Sequence, residues 1–216
     1  MKNPTIPRLD LPVRSIYCIG RNYAEHAKEM NSKVPSEPLI FIKPLSSVSI
    51  LPWMINLPVE EHDIHYEAEM VVAIGMEGKN IPEDLALGHV AGYGIGIDFT
   101  ARDLQSAAKK AGQPWALSKG MDNFAPLGLF APADKVPDPQ NLRLTLTKNG
   151  ELCQDGNTAD MIFPVNMLIS YLSRHISLYP GDLIFTGTPS GVGSVQKEDE
   201  LEARLGDDLL LNLIVE

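Results

Sequence analysis

Two glutamates, Glu67 and Glu69, stand two positions apart in the segment IHYEAEMVVAIG, whose other residues are typical of a buried β-strand. Side chains two apart in a strand point to the same face, which places the two Cα atoms roughly 7 Å apart. Val71 and Ala73 continue this face as apolar side chains, so the face is at least partly covered. Carboxylates held together away from water repel each other unless one is protonated or a cation lies between them. A divalent cation would resolve the repulsion, and a solvated strand face is the alternative.

A third carboxylate, Asp98, stands where the predicted strand VAGYGIGID gives way to FTARD. Mg²⁺ prefers oxygen ligands and usually keeps several waters, so Asp98 would complete a protein ligand set with positions left open for a substrate. Gly92, Gly94 and Gly96 leave one face of this strand bare, which would let another group approach closely. His65 shares the face of the two glutamates and is expected to lie near the metal without binding it.

A histidine and a glutamate three residues apart, His26 and Glu29, are neighbours on one face of a predicted helix. A carboxylate that orients an imidazole is a common way to build a general base for water. An ordinary surface pair is the alternative, and the segment alone does not decide between them.

Polar residues with a binding character follow Asp98. Arg102 and Gln105 share a face of the second predicted helix, where the arginine could bind a substrate carboxylate through two hydrogen bonds, although a solvated face is also typical of such a pair. Lys119, in ALSKGMDNF, is uninformative by itself. The glycine-rich segment FTGTPSGVG (185–193) lacks the P-loop and nucleophile-elbow motifs, so it is predicted to be a specialised turn whose backbone amides could hold an oxyanion.

The elements that must position these residues are mostly short strands with turn signals between them. Helices are too sparse among the strands for a doubly wound sheet, which favours an α+β fold with a mixed or antiparallel sheet. The predicted strands cover residues 15–19, 39–42, 65–74, 90–98, 127–131, 142–148, 183–186 and 209–215, and the predicted helices cover 23–30, 101–111 and 164–174.

The helix ends carry recognisable signals. Asn22 is the predicted N-cap of the first helix, with Glu25 three residues later as in a capping box. Thr100 and Asp103 stand in the same relation at the start of the second helix, which is predicted to stop at Gly112. The third helix opens with proline in its first turn and ends in basic residues that suit the helix dipole.

Composition limits the functional classes. The 216 residues fit one large domain, and a formal net charge of −10 without a basic cluster argues against nucleic-acid binding. The sequence contains no apolar run of about 20 residues and no recognisable signal peptide, so neither a membrane span nor secretion is predicted. Cys18 and Cys153 form no metal-binding or disulfide pattern. A cytoplasmic location is the expectation.

Taken together and in this order, the motifs resemble the fumarylacetoacetate hydrolase family. The resemblance extends from about residue 15 to the end and is strongest to the small single-domain members, which include acylpyruvases, oxaloacetate decarboxylases or tautomerases, and decarboxylase/isomerases of aromatic acid degradation. The matching segments are GRNYAEHAKEM, EPLIFIKP, HYEAEMVVAIG, GYGIGIDFTARDLQ, GQPWALSKGMDNFAPLG, DMIF and GDLIFTGTPSGVG.

The resemblance implies a mixed β-roll fold, a homodimer, and a Mg²⁺ or Mn²⁺ ion, with residues 1–216 as one catalytic domain and 1–14 as an amino-terminal arm. It also implies a role for each candidate residue. Glu67, Glu69 and Asp98 match the metal ligands. The other matches are His26 and Glu29 to the water-activating dyad of a lid helix, Lys119 to the lysine that stabilises an oxyanion, and Arg21, Arg102, Gln105, Thr188 and, less closely, Lys43 to substrate contacts.

The resulting hypothesis is metal-dependent hydrolysis of a C–C bond in a 2,4-dioxo acid of the acylpyruvate or fumarylpyruvate type. His26 would activate the attacking water, Lys119 would stabilise the oxyanion, and the metal would make a pyruvate enolate a tolerable leaving group. Oxaloacetate decarboxylation or tautomerisation, or a 2-hydroxymuconate-type isomerisation or decarboxylation, could use the same site. Two further alternatives are a catalytically silent metal-binding relative and an unrelated carbohydrate-binding β-protein.

Overall fold

A computed structural model describes residues 3–30 and 32–216 of the chain, so the first two residues of the predicted arm lie outside the described part. In that part, no helix is long and apolar enough to span a membrane. The strands are β1 (Thr5–Ile6), β2 (Leu11–Pro12), β3 (Ile16–Gly20), β4 (Leu39–Lys43), β5 (Val48–Ile50), β6 (Met54–Ile55), β7 (Ile64–Tyr66), β8 (Ala68–Ile74), β9 (Val90–Ile97), β10 (Thr100–Ala101), β11 (Ala125–Pro132), β12 (Arg143–Lys148), β13 (Glu151–Asn157), β14 (Leu183–Phe185), β15 (Gly193–Ser194), β16 (Glu200–Leu205) and β17 (Leu209–Val215). The α-helices are α1 (Ala24–Glu29), α2 (Arg102–Ala111), α3 (Ala116–Lys119) and α4 (Val165–His175), and short 3₁₀ helices cover Leu45–Ser47, Glu83–His89, Ala133–Lys135 and Thr158–Asp160.

The sheets are mixed and the helices few, as predicted. The largest sheet has seven strands in the order β4-β3-β14-β8-β9-β11-β5, and a second has five in the order β13-β12-β16-β17-β6. Most neighbouring strands are antiparallel, whereas the pairs β3–β14, β5–β11 and β6–β17 are parallel. Two smaller sheets, β10-β7-β15 and β1-β2, complete the set in the described residues.

Both faces of the seven-stranded sheet are covered by apolar packing. The larger core cluster joins one face of β8 and β9 to the inner side chains of the five-stranded sheet. The smaller cluster lies on the other face, where Val71 and Ala73 pack with Ile6 and Val13 of the amino-terminal segment. β8 is therefore buried on both faces, which confirms that the apolar continuation of the glutamate face is covered.

The strand predicted over 65–74 is interrupted at Glu67, where the chain passes from one sheet to another. β7 pairs with β10 and β15, whereas β8 pairs with β9 and β14. Side chains take over the hydrogen bonds at the break: Ala68 N donates to Gln154 Oε1 at 3.0 Å, and Thr188 Oγ1 donates to Ala68 O at 2.7 Å. The prediction of one continuous strand was wrong because these partners lie far away in sequence.

Both predicted N-caps were wrong as well. The N-caps of α1 and α2 are Tyr23 and Ala101, and neither position has a side-chain cap among the described residues. Asn22 instead forms long-range hydrogen bonds, and the Thr100 hydroxyl donates to Asp98 O. The predicted end of α2 is confirmed, because Gly112 adopts a left-handed φ of 65° that lets the chain leave the helix.

The bare face of β9 is filled by the protein itself. A Cβ at Gly94 would lie 2.5 Å from ring atoms of Phe130, and one at Gly96 would lie 2.9 Å from Phe185. The glycines therefore make room for the aromatic side chains of the smaller core cluster, so the approaching group is not a ligand.

Candidate active site

Three carboxylates converge where the sheet changes partner. Glu67 occupies the break between β7 and β8, Glu69 follows two residues later, and Asp98 comes directly after β9. Ala68 pairs with Ile97 in the β8–β9 ladder, and Asp98 N donates to Glu67 O at 2.8 Å, so the two strand ends are held side by side. One oxygen of each carboxylate lies within 4.8 Å of the others. All three side chains are buried.

The donor set and its electrostatics suit a hard divalent cation. Burial, together with the neighbouring charges of Asp98 and Glu67, raises the pKa of Glu69 well above its usual range. Asp98 Oδ1 is buried and has no hydrogen-bond partner in the described part of the chain. Three carboxylate oxygens are ligands that Mg²⁺ and Mn²⁺ prefer, and a cation would relieve the repulsion between the carboxylates.

Lys43 lies behind Asp98 and does not line the cavity, so it is not a substrate contact in this structure. Its ammonium donates to the carbonyls of Phe99 (3.1 Å), Phe124 (2.9 Å) and Lys119. Because these bonds use all three donors, the contact of 2.7 Å to Asp98 Oδ1 is an ion pair that leaves the oxygen without a hydrogen bond. Burial lowers the pKa of Lys43, and the Asp98 charge opposes this effect.

Lys119, at the end of α3, bridges two of the carboxylates. Its Nζ lies 2.8 Å from Glu67 Oε2 and 2.6 Å from Asp98 Oδ2. Burial alone would lower the pKa of Lys119, but the charges of Asp98 and Glu67 raise it. Burial likewise opposes ionisation of Glu67, yet Lys119 and Arg102 hold its pKa well below the usual range. The lysine therefore remains a cation and is not a base.

The predicted dyad is formed. His26 is buried in α1, and its Nδ1 lies 3.1 Å from Glu29 Oε2. Glu29 Oε1 accepts a hydrogen bond of 3.0 Å from Gly191 N, which ties the helix to the glycine-rich loop. The same loop donates Gly187 N to Glu69 Oε2 at 2.7 Å. The amides predicted to hold an oxyanion thus bind the protein's own carboxylates, and His26 is left with Nε2 to exchange a proton.

Helix α2 presents a polar stripe to the same cavity. Arg102 donates to Glu67 Oε1 and, at 3.0 Å, to Gln105 Oε1. Lys109 Nζ donates to the same Gln105 oxygen at 3.2 Å. Arg102 Nε is buried without a hydrogen-bond partner in the described residues, and the Arg102 side chain lines the cavity.

Nearly all of the predicted site residues line one cavity. Glu29 does not line the cavity but contacts His26, which does. Thr188 lines the cavity, but its hydroxyl already donates to Ala68 O and accepts from Gln154 Nε2. His65 is half-buried and bonds to Asp63, and its expected place near a metal without binding it stays a prediction. The residues that line the cavity are Ile19, Gly20, Arg21, His26, Met30, Phe41, Glu67, Glu69, Asp98, Arg102, Gln105, Lys109, Trp115, Lys119 and Thr188.

Two features of the cavity, an aromatic wall and one lysine, were not predicted from the sequence. The rings of Phe41 and Trp115 lie 5.7 Å apart between centroids, with Lys119 Nζ 4.9 Å from the first and Lys109 Nζ 5.2 Å from the second. The spacing of Arg102, Gln105 and Lys109 at i, i+3 and i+7 was a usable signal for Lys109, since such residues share one helix face.

Comparisons with known proteins agree with this geometry. The protein-family model described as "Fumarylacetoacetate (FAA) hydrolase C-terminal" matches residues 15–212 of this chain. The chain is 45% identical over 203 residues to the rat protein "Oxaloacetate tautomerase FAHD1, mitochondrial". The matched region covers 94% of this chain and 92% of that protein. It is 46% identical over 194 residues to "Oxaloacetate tautomerase YcgM" of Escherichia coli, covering 89% of each. Fumarylpyruvate hydrolase from Pseudomonas aeruginosa, solved with Mn²⁺ and pyruvate, superposes with a TM-score of 0.92 at 40% identity, covering 98% of this chain and 94% of that one.

Proposed function

Since this chain belongs to the fumarylacetoacetate hydrolase family, we propose that it is a divalent-metal-dependent enzyme that converts a 2-oxo acid through its enol or enolate form. One observation carries the proposal: three buried carboxylates, with oxygens within 4.8 Å of one another, line the same cavity as His26, whose ring is bound to Glu29. Glu67, Glu69 and Asp98 would hold the ion, Mg²⁺ or Mn²⁺. Bound there, the cation would supply Lewis-acid stabilisation of negative charge on the substrate oxygens.

Substrate orientation is assigned to α2. Arg102 Nε is a buried donor without a partner in the described residues, and Gln105 uses its Oε1 for Arg102 and Lys109, so its Nε2 remains to donate. A carboxylate placed against the Arg102 guanidinium would accept a charge-assisted hydrogen bond. The acidic end of the 2-oxo acid is therefore held beside Glu67.

Proton transfer is assigned to His26. Its Nδ1 is bound to Glu29, which fixes the ring and leaves Nε2 facing the reaction. In tautomerisation, Nε2 would remove a proton from C3 of the 2-oxo acid, and a proton would return to the 2-oxo oxygen. In hydrolysis, Nε2 would instead take a proton from water; hydroxide adds to the C4 carbonyl, the C3–C4 bond breaks, and C3 is then protonated.

Lys119 is assigned to the stabilisation of negative charge. Glu67 and Asp98 keep its ammonium protonated, so it can donate to a developing oxyanion but does not compete with His26 as a base.

Oxaloacetate is the first substrate to test, because the relatives named above at 45% and 46% identity are oxaloacetate tautomerases. This ordering differs from the sequence analysis, which put C–C hydrolysis first. Hydrolysis of an acylpyruvate or fumarylpyruvate is the second candidate, favoured by the His26–Glu29 pair, since a hydrolase needs an activated water and the neighbour of 40% identity is a fumarylpyruvate hydrolase.

The experiment assays oxaloacetate and acetylpyruvate in parallel, with Mg²⁺, with Mn²⁺ and with chelator. Wild type is compared with Glu69→Gln and His26→Ala, and Mn²⁺ binding is measured by calorimetry. Chelation and Glu69→Gln should abolish turnover and weaken Mn²⁺ binding, and His26→Ala should abolish hydrolysis. The matched controls Glu61→Gln and His175→Ala change exposed residues of the same types and should behave as wild type.

Activity that resists chelation, or hydrolysis that survives His26→Ala, would refute the assignment. A catalytically silent relative would bind Mn²⁺ at Glu69 but turn over neither substrate. The homodimer stays a prediction, which light scattering would measure. The cytoplasmic location also stays a prediction, and the names of several relatives include "mitochondrial".

A further inference from the structure

Two cations, Arg21 and Lys109, line the outer part of the cavity without ion-pair partners. Within the described residues, neither forms a salt bridge, whereas Lys43, Arg102 and Lys119 are each paired with a carboxylate of the metal cluster. The chemistry proposed above uses only cations that are paired with the carboxylates. It does not explain why two more positive charges line the cavity.

Lys109 is held in place by neighbouring side chains. Its Nζ donates to Gln105 Oε1 at 3.2 Å and lies 5.2 Å from the centroid of the Trp115 ring. Gln105 also accepts from Arg102, which in turn donates to Glu67. The side chains thus form a line from the metal cluster to the mouth of the cavity, and Lys109 is its far end.

Arg21 approaches the same space from a strained backbone. Its φ is +60°, in the left-handed region that non-glycine residues rarely adopt and that is found preferentially at functional sites. Burial and the charge of Arg21, then that of Arg102, lower the pKa of Lys109 to about 8. An anion bound close to both cations would relieve this repulsion between like charges.

Resting on the function proposed above, we propose that Arg21 and Lys109 form a second anion subsite that binds the distal carboxylate of a 2-oxo dicarboxylic acid. Lys109 is thereby a specificity-determining residue, which favours dicarboxylates such as oxaloacetate over monocarboxylic acylpyruvates. The 2-oxo acid end lies at the metal cluster beside Arg102, and the aromatic wall of Phe41 and Trp115 flanks the carbon chain in between.

The test compares Lys109→Met with Lys110→Met, which removes the same charge from the next residue of α2 but does not line the cavity. Lys109→Met should raise KM for oxaloacetate about 5- to 10-fold, a modest effect because Lys109 is still partly exposed to solvent. KM for acetylpyruvate, which has no distal carboxylate, should stay within about twofold by the same reasoning. Lys109→Arg should restore the wild-type KM for oxaloacetate.

Oxalate inhibition separates the two ends of the cavity. Oxalate has two carboxylates on adjacent carbons, so it can occupy the metal end without reaching Lys109, and its inhibition constant should be the same in Lys109→Met and wild type. Equal losses for oxaloacetate and acetylpyruvate, no loss for either, or a matching loss in Lys110→Met would overturn the subsite. Failure of the wild type to turn over either substrate would instead overturn the proposed function.

Discussion

Replacing Asn22 by alanine would remove a buried side chain that joins three parts of the chain around the site. Asn22 Nδ2 donates to Phe163 O at 3.0 Å and to Thr186 O at 2.8 Å, and its Oδ1 accepts from Phe163 N at 2.8 Å. The residue is fully buried and lies between Arg21 and helix α1. Its loss detaches the base of the helix that carries the dyad from the strand end that leads into the glycine-rich loop.

The cost follows from the number of groups left without partners. The substitution leaves two carbonyl oxygens and one amide unsatisfied in the interior, and a buried hydrogen bond contributes about 1–1.5 kcal/mol, so the free energy of unfolding should fall by about 3–4 kcal/mol. For a protein stable by about 5–15 kcal/mol, this is about a fifth or more of the total. With an m value of about 2–3 kcal/mol per molar urea, the unfolding midpoint should drop by about 1–2 M.

The assay is urea unfolding followed by circular dichroism, with Mn²⁺ titration of the folded variant. The matched control Asn141→Ala removes an exposed amide that accepts one hydrogen bond from Asn157, and its stability should stay within about 0.5 kcal/mol of wild type. Asn22→Asp keeps an acceptor for Phe163 N and gives a second variant. Mn²⁺ affinity should not change, because Asn22 binds none of the three carboxylates.

A loss of less than about 1 kcal/mol in Asn22→Ala would refute the reasoning, since it would mean that the freed backbone groups find other partners. A loss of Mn²⁺ affinity equal to that of Glu69→Gln would refute the expectation that Asn22 stabilises the fold without supporting the three carboxylates.

Three further predictions follow from single contacts. Gly94→Ala should destabilise the fold by about 3 kcal/mol in urea unfolding, because its Cβ would lie 2.5 Å from an aromatic ring, whereas Gly88→Ala, with open space, should cost little. Glu29→Gln should lower kcat for hydrolysis by about 10²-fold with Mn²⁺ affinity intact, because His26 loses its charged partner; equal kcat would contradict the dyad. KM for oxaloacetate should rise as the pH passes through about 8, where Lys109 loses its proton, and a pH profile that is flat in wild type would contradict this.

The grouping of the three carboxylates was predictable because two of them are two residues apart and the third stands at the end of a predicted strand. The two-residue spacing of Glu67 and Glu69 and the position of Asp98 at a strand end survive even though the strand is broken between them. The break itself was not predictable, because Gln154 and Thr188 replace its hydrogen bonds from far away in sequence.

Other errors have the same origin. Asn22 has the type and spacing of an N-cap, yet long-range carbonyls compete successfully for its side chain. Strand β16 was missed because polar residues such as Arg204 interrupt its apolar pattern. Lys109 looks like a solvated helix residue until the fold places Trp115 beside it.

The two buried lysines bear on how the protein is assembled in the cell. Lys43 and Lys119 are cations that the chain itself carries into the carboxylate cluster, so part of the repulsion is neutralised as soon as the backbone is in place. Small zinc domains, in contrast, stay unfolded until their metal arrives. Folding of this protein should therefore not require a metal, and an ion held by Glu67, Glu69 and Asp98 would be exchanged on a folded molecule.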